Sequence, residues 1–509
     1  MKRAKQFVVN TAVMTLTSLI LQSIGMAFNI YISDKIGAQG VGLFTVIMSV
    51  NTLMVTLSTG GVYISTVRLV SQARGLGSER EIAASVGRCA IYALVCGAVT
   101  CIAGLFGAEY VGRVFLGDER SITCIKILSL MQPLNSLSCV IGGYFGAEKK
   151  VIKSAVIQLA DEVLTVVAVS LGLIYFSSGE IEYSCIAIIG GNCIAHIIST
   201  LGSLVIFVAD IRKNKRNGGD ISKNLTKQML GIALPVAVTS YAKSGLSTVK
   251  NLLIPYCLRL GGNSAQIALE QYGMMQGMAF PVVMFPQIVT SAMAGLMVPE
   301  ITKSRAKKHN NNVNYIISRA FHAVSIYAIF IACILLGYAD EISGWIYSND
   351  AVAQYIKLLT ALIPLLYLDA VVDASLSGLD EQVNAMKISI ADSVISIILV
   401  ATLLPKFGIK GYVITMYVCK SFNCGMSILR LVKASGLKVK FYKWIFSPML
   451  SGVCAVLGVK ALSYIIGAEN GMTETLLKIV TTLYLYLIGL RLTECTDKND
   501  IAWMKSFFC

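Results

Sequence analysis

Three cations, Lys243, Lys250 and Arg259, interrupt an otherwise apolar stretch, LPVAVTSYAKSGLSTVKNLLIPYCLR at positions 234–259, with Asn251 beside the second. A cation at bilayer depth costs roughly 2.5–3.5 kcal/mol, so ionisable groups kept there mark a pathway or a ligand. Lys243 and Lys250 are seven apart and share a helical face. The chemistry they suit is binding an anion in a wet cavity. Attraction between a lysine and a phosphate 4 Å apart is about 4 kcal/mol at an effective dielectric of 20, enough to hold a diphosphate without trapping it. Entered from the cytoplasm, such a helix sets Lys243 near mid-membrane, Lys250 in the outer half and Arg259 at the outer end, to be met in series. The competing reading is that the lysines snorkel or pair with structural acids.

Acids in apolar stretches form the second group: Asp161 and Glu162, Asp369 and Asp373, and Asp392. Asp369 and Asp373 are four apart and share a helical face. These acids could bind a coupling cation or proton; alternatively they neutralise Lys420, since buried charges are usually paired. The third group bends helices. Gly60 and Gly61, and Pro281 and Pro286, suit a moving gate, with small-residue packing as the plain alternative for the glycines. His196, His309 and His322 make no ligand cluster, and there is no Walker loop or G-x-S-x-G element. No metal, cofactor, ATPase or enzyme is expected.

The elements that must position these residues are membrane spans. The 509 residues are 55% hydrophobic and only 14% charged, and the mean hydropathy is +0.71. Soluble chains carry about 25% charged residues, so this is an all-α polytopic membrane protein. The net charge of +15 sits in short loops, which argues against nucleic acid as a partner. The apolar run 7–33 is too long for a signal peptide and reads as a first span. The fourteen cysteines read as small buried hydrophobes. Fourteen spans fall near 7–33, 41–67, 84–108, 122–146, 154–176, 184–209, 229–258, 272–298, 314–338, 351–378, 386–405, 411–433, 445–466 and 474–492, numbered here as spans 1 to 14. Basic residues concentrate after even-numbered spans, as in DIRKNKRNGGDISKNLTKQ at 210–228. Both termini are therefore expected in the cytoplasm, in a multi-pass protein of the cytoplasmic membrane.

Landmarks recur 231 positions apart: Gly42 and Gly273, Pro133 and Pro364, Asp161 and Asp392. Spans 1–6 (1–209) and 7–12 (229–433) thus read as two parallel six-helix lobes joined by a basic linker, 210–228, with a site between them. Spans 13 and 14 (434–492) lie outside the repeat, followed by a tail, 493–509.

Several strings resemble the stage V sporulation protein B group of the multidrug/oligosaccharidyl-lipid/polysaccharide exporter superfamily. They are YGMMQGMAFPVVMFPQIVTSAMAGLMVPEITKSRA (272–306), DKIGAQGVGLF (34–44), KISIADSVISI (387–397) and LLPKFGIKGYVI (403–414). The resemblance implies two six-helix lobes in a V plus two helices. The implied activity is flipping an undecaprenyl-diphosphate-linked saccharide, a peptidoglycan or polysaccharide precursor, by alternating access during envelope or spore-cortex synthesis. Its partners would be that lipid-linked saccharide, membrane lipids and envelope-synthesis proteins. Related flippases line a cavity with cations from helices 1, 2, 7 and 8, a role open here to Lys243, Lys250 and Arg259, while the last two helices form a groove for the lipid tail. Span 1 has no arginine, unlike the lipid II flippases. The alternatives are a cation-coupled multidrug exporter, which would place acids in its cavity, and a non-transporting scaffold in spore-envelope assembly.

Overall fold

The computed structural model describes residues 2–148, 150–176, 181–213, 224–347, 349–436, 441–466, 471–493 and 495. The middle of the expected linker, 214–223, and the tail from 496 lie outside these. Among the described residues the chain is helical, with no strand. Nine helices are long and apolar enough to cross a membrane, or twelve if each bent pair is one span. Two of the nine are double-length: α1 (Lys2–Thr59) runs on into α2 (Val62–Gly75), and α16 (Gln382–Ser435) has 54 residues. Each is kinked at one residue where the backbone leaves helical geometry, Gly37 (φ 66°) in α1 and Gly408 (φ 57°) in α16. Positive φ of this kind costs an L side chain energy and glycine nothing. Cut at these glycines, the twelve become the fourteen spans read from the sequence.

The three bent spans break where proline removes an amide donor. α4 (Arg120–Leu130) meets α5 (Gln132–Ala147) at 43°, and α14 (Asp350–Thr360) meets α15 (Ile363–Gly378) at 54°. Pro133 and Pro364 each stand in the first turn of the second piece, where a missing N–H costs nothing. The third, of 58°, lies between 265–284 and α11 (Gln287–Ala306), with Pro286 at the break.

The 231-residue repeat extends to element boundaries. α3 (Glu79–Tyr110) and α12 (Asn310–Gly337) start that far apart, as do α6 (Val151–Phe176) and α16; α2 and α11 end that far apart. The chain forms two compact units, Met1–Gly273 and Met274–Cys509. In the first, Val62, Leu69 and Val70 of α2 pack with Val86 of α3 and Val140, Tyr144 and Phe145 of α5. In the second, α17 (Ser447–Ile466) and α18 (Met472–Leu492), which carry spans 13 and 14, pack with α12 through Tyr486, whose hydroxyl donates to the Ile326 carbonyl at 2.9 Å.

Within the first unit, α1 crosses α9 (Ala265–Tyr272) at its closest on the repeat landmarks themselves. A Cβ on Gly42 would stand 1.9 Å from the Leu269 carbonyl oxygen, and one on Gly273 2.0 Å from that of Ala38. Ala38 and Leu269 are also 231 apart, so the contact is reciprocal, as at a local two-fold. Gly42→Ala and Gly273→Ala are each expected to cost about 3 kcal/mol or more through backbone overlap. Gly87→Ala, in open space on α3, is expected to be neutral. Melting curves of the detergent-purified variants check this.

Candidate functional site

α8 (Leu225–Leu260) carries the lysine pair and is the least apolar of the nine spanning helices. Its Ser240, Lys243, Ser244, Ser247, Thr248 and Asn251 recur at three- and four-residue steps and so occupy one face. The arm of α1 after Gly37 presents Ser49, Thr52 and Thr56 at matching spacing. These nine residues line one cavity of about 420 Å³ in the first unit. Lys243 is exposed to it, and no carboxylate lines it.

Side-chain bonds fix the two helices together. Thr248 Oγ1 donates to the Ser49 carbonyl at 3.2 Å, and Asn251 Nδ2 donates to Ser49 Oγ at 3.0 Å. Further along, α1 breaks at Gly60 and Gly61, the latter at φ 72°. Tyr241 of α8 donates to the Leu57 carbonyl at 2.9 Å and Tyr92 of α3 to that of Gly60 at 3.4 Å, satisfying acceptors that the break leaves near a helix end. Both glycines are also close-contact positions. A Cβ on Gly60 would meet the Tyr241 ring at 2.4 Å, and one on Gly61 the Ala233 carbonyl at 2.3 Å. Their place in the first unit is a tight seam between α1 and α8.

Pro281 and Pro286 lie in the second unit on α10 (Phe280–Met284) and at its end, after a π-helical stretch over 273–279. Three tyrosine hydroxyls hold this bend: Tyr347 donates to the Met278 carbonyl at 3.0 Å, Tyr367 to Val283 at 2.7 Å and Tyr327 to Pro286 at 2.9 Å.

The expected cationic series divides. Lys243 and Asn251 line the cavity. Lys250 is half-buried and off its wall. Seven residues fall about 20° short of two full turns, which carries Lys250 further round the helix. Arg259 is sixteen residues from Lys243, about 160° round at 100° per residue. Its guanidinium donates to the carbonyls of Val114 (3.2 Å) and Phe115 (2.9 Å), closing the π-helical turn Val111–Leu116, and stacks on Tyr256.

None of the acids is among the residues lining this cavity. Asp161 stands 3.7 Å from His196 Nδ1 of α7 (Ile181–Lys213), and Glu162 faces Gly25 of α1. In the second unit Asp369 and Asp373 lie on α15 and Lys420 on α16. Asp392 is half-buried on α16. The partner role of His196 and the tyrosine caps were not read from the sequence. The hydroxyl stripes were also passed over, although Thr45, Ser49, Thr52, Thr56 and Thr59 repeat at four- and three-residue steps.

The described residues thus form an all-helical, multi-pass membrane fold whose first unit holds a polar, cation-bearing cavity. The chain belongs to the polysaccharide biosynthesis protein family, whose pattern matches residues 7–299, more than half its length. It is 21% identical over 513 positions to stage V sporulation protein B of Bacillus subtilis (strain 168), covering 98% of each chain. It is 17% identical over 356 positions to sporulation protein YkvU of the same organism, covering 70% of this chain and 78% of that one. Among solved structures it is similar in fold to the lipid II flippase MurJ in its inward closed conformation. The TM-score is 0.70 at 14% identity, over 94% of this chain and 97% of that one. An inward-facing multidrug resistance MATE family transporter of the MOP superfamily gives a TM-score of 0.64 at 12% identity, over 82% and 96%. These structural neighbours are transporters and a flippase, not enzymes.

Arg259 and Lys243 are separable by experiment. Arg259→Gln is expected to lower the melting temperature through lost charged hydrogen bonds, worth about 1.5–3 kcal/mol. Lys243→Gln, which removes an exposed ammonium, is expected to leave melting unchanged.

Proposed function

We propose that this protein flips a polyisoprenoid-diphosphate-linked saccharide across the cytoplasmic membrane, with both termini on the cytoplasmic side. Lys243 takes a phosphate of the headgroup, the hydroxyl-lined cavity receives the polar remainder, and the lipid tail stays among acyl chains. The observation that carries this reading is a single exposed lysine in a cavity of hydroxyls and one amide, without a carboxylate. An exporter of organic cations would need the opposite charge there. Similarity to stage V sporulation protein B and to the fold of a lipid II flippase supports a peptidoglycan or polysaccharide precursor, in spore-envelope synthesis, as the cargo.

In this scheme the lobes of spans 1–6 and 7–12 alternate access, with envelope-synthesis proteins as candidate partners. Lys250 supports the field on α8 from off the cavity wall. Asp161, Glu162, Asp369, Asp373 and Asp392 serve as structural charges, Lys420 among them. Gly60, Gly61, Pro281 and Pro286 set the bends on which a gate would turn.

Proteoliposomes containing only this protein and a fluorescent diphosphate-linked saccharide lipid test the proposal. Wild-type protein is expected to expose the headgroup to an externally added reagent. Lys243→Gln is expected to slow this at least about tenfold, the cost of one charge contact of about 1.4 kcal/mol or more. Lys243→Arg is expected to keep most of the rate. Equal rates for wild type and Lys243→Gln would overturn the assignment of Lys243.

A further inference from the structure

The cavity wall has a polarity that its composition alone does not disclose. A hydroxyl owns one proton and two lone pairs. Thr52 donates its proton to the Met48 carbonyl at 2.8 Å, Thr56 to Thr52 at 2.7 Å and Ser49 to Thr45 at 3.2 Å, all within α1. Thr248 donates to the Ser49 carbonyl at 3.2 Å. These four hydroxyls have committed their donors and offer a ligand lone pairs only. Protons available to a ligand lie on the α8 side, foremost on the exposed Lys243 ammonium, which has three.

An ionised phosphate carries acceptors and no donors. It is matched by Lys243 and mismatched by the α1 face, where it would have to displace intrahelical hydrogen bonds before finding a proton. A sugar hydroxyl or an acetamido N–H brings the donor that this face lacks. The volume of about 420 Å³ equals roughly fourteen waters at about 30 Å³ each, room for a sugar ring beside a phosphate.

We infer that the α1 face of this cavity, Ser49, Thr52 and Thr56, is a saccharide subsite that accepts hydrogen bonds from the sugar next to the phosphate, while Lys243 holds the phosphate itself. The inference rests on the flippase reading and narrows it. The ligand is recognised as a glycosylated phospholipid and not as a diphosphate alone, so the unglycosylated carrier is discriminated against at this step. Thr52 and Thr56 are the specificity-determining pair.

The test measures binding to full-length protein in phosphatidylcholine nanodiscs. Three lipids of one chain length serve as probes: a polyisoprenol, its diphosphate, and the diphosphate bearing N-acetylglucosamine. Wild type is expected to bind the glycosylated diphosphate about tenfold more tightly than the bare diphosphate, the worth of one to two net hydrogen bonds. In Thr52→Val/Thr56→Val, which keeps shape and removes the lone pairs, that ratio is expected to fall towards one; Thr52→Ser/Thr56→Ser is expected to restore it. A wild-type ratio near one would overturn the subsite and leave the flippase reading standing. A valine variant with unchanged melting and an unchanged ratio would do the same. Wild type that binds neither diphosphate better than the polyisoprenol would overturn the flippase reading, and the subsite with it.

Discussion

In hydrocarbon, a backbone carbonyl without a partner costs several kcal/mol, and no water is present to repair the loss. Helices meet this constraint along their length, so the structure is decided at the points where helices break. Nearly every break described here carries its own remedy. Prolines 133 and 364 sit where the missing amide was surplus. Tyr241 and Tyr92 answer the carbonyls at the Gly60–Gly61 break, three tyrosines answer those around Pro281 and Pro286, and Arg259 answers the turn at Val114 and Phe115. The aromatic residues act less as bulk than as hydroxyls delivered at the end of a stiff, apolar arm.

That constraint also explains how a cavity survives in so apolar a chain. Hydroxyls of serine and threonine can enter a spanning helix cheaply because each bonds back to its own backbone. The price is that they no longer donate. A wall of such residues is polar yet one-sided, and a single lysine opposite gives it a direction. Function here depends less on how many charges the helix carries than on which of them faces the hydroxyls.

The sequence made much of the fold legible. Pro133 and Pro364, landmarks at a fixed spacing, both stand at bends, and the fourteen apolar runs fall on the described helices once α1 and α16 are divided at Gly37 and Gly408. The site was legible in part. Lys243 was found because charge in an apolar run is conspicuous, whereas Arg259 was grouped with it although sixteen residues place the two on nearly opposite faces. Serines and threonines were overlooked because, in a membrane helix, they look the same whether they pack or line water. The meeting of His196 with Asp161, and the tyrosine caps, depend on which helices adjoin, which spacing within one helix does not encode.

The ion pairs at the helix ends bear on assembly. In the first repeat a cation at the start of α6, Lys150, meets an anion at the end of α7, Asp210, which also accepts from Lys153 and Tyr144. In the second, Glu381 stands 231 residues after Lys150, just before α16, and meets Arg430 near that helix's end, so the first partner has the opposite sign, while Arg430 does not occupy the position equivalent to Asp210. The two clasps have opposite polarity, so an exchange of partners between them would set Lys150 against Arg430 and Asp210 against Glu381, like charges in both cases.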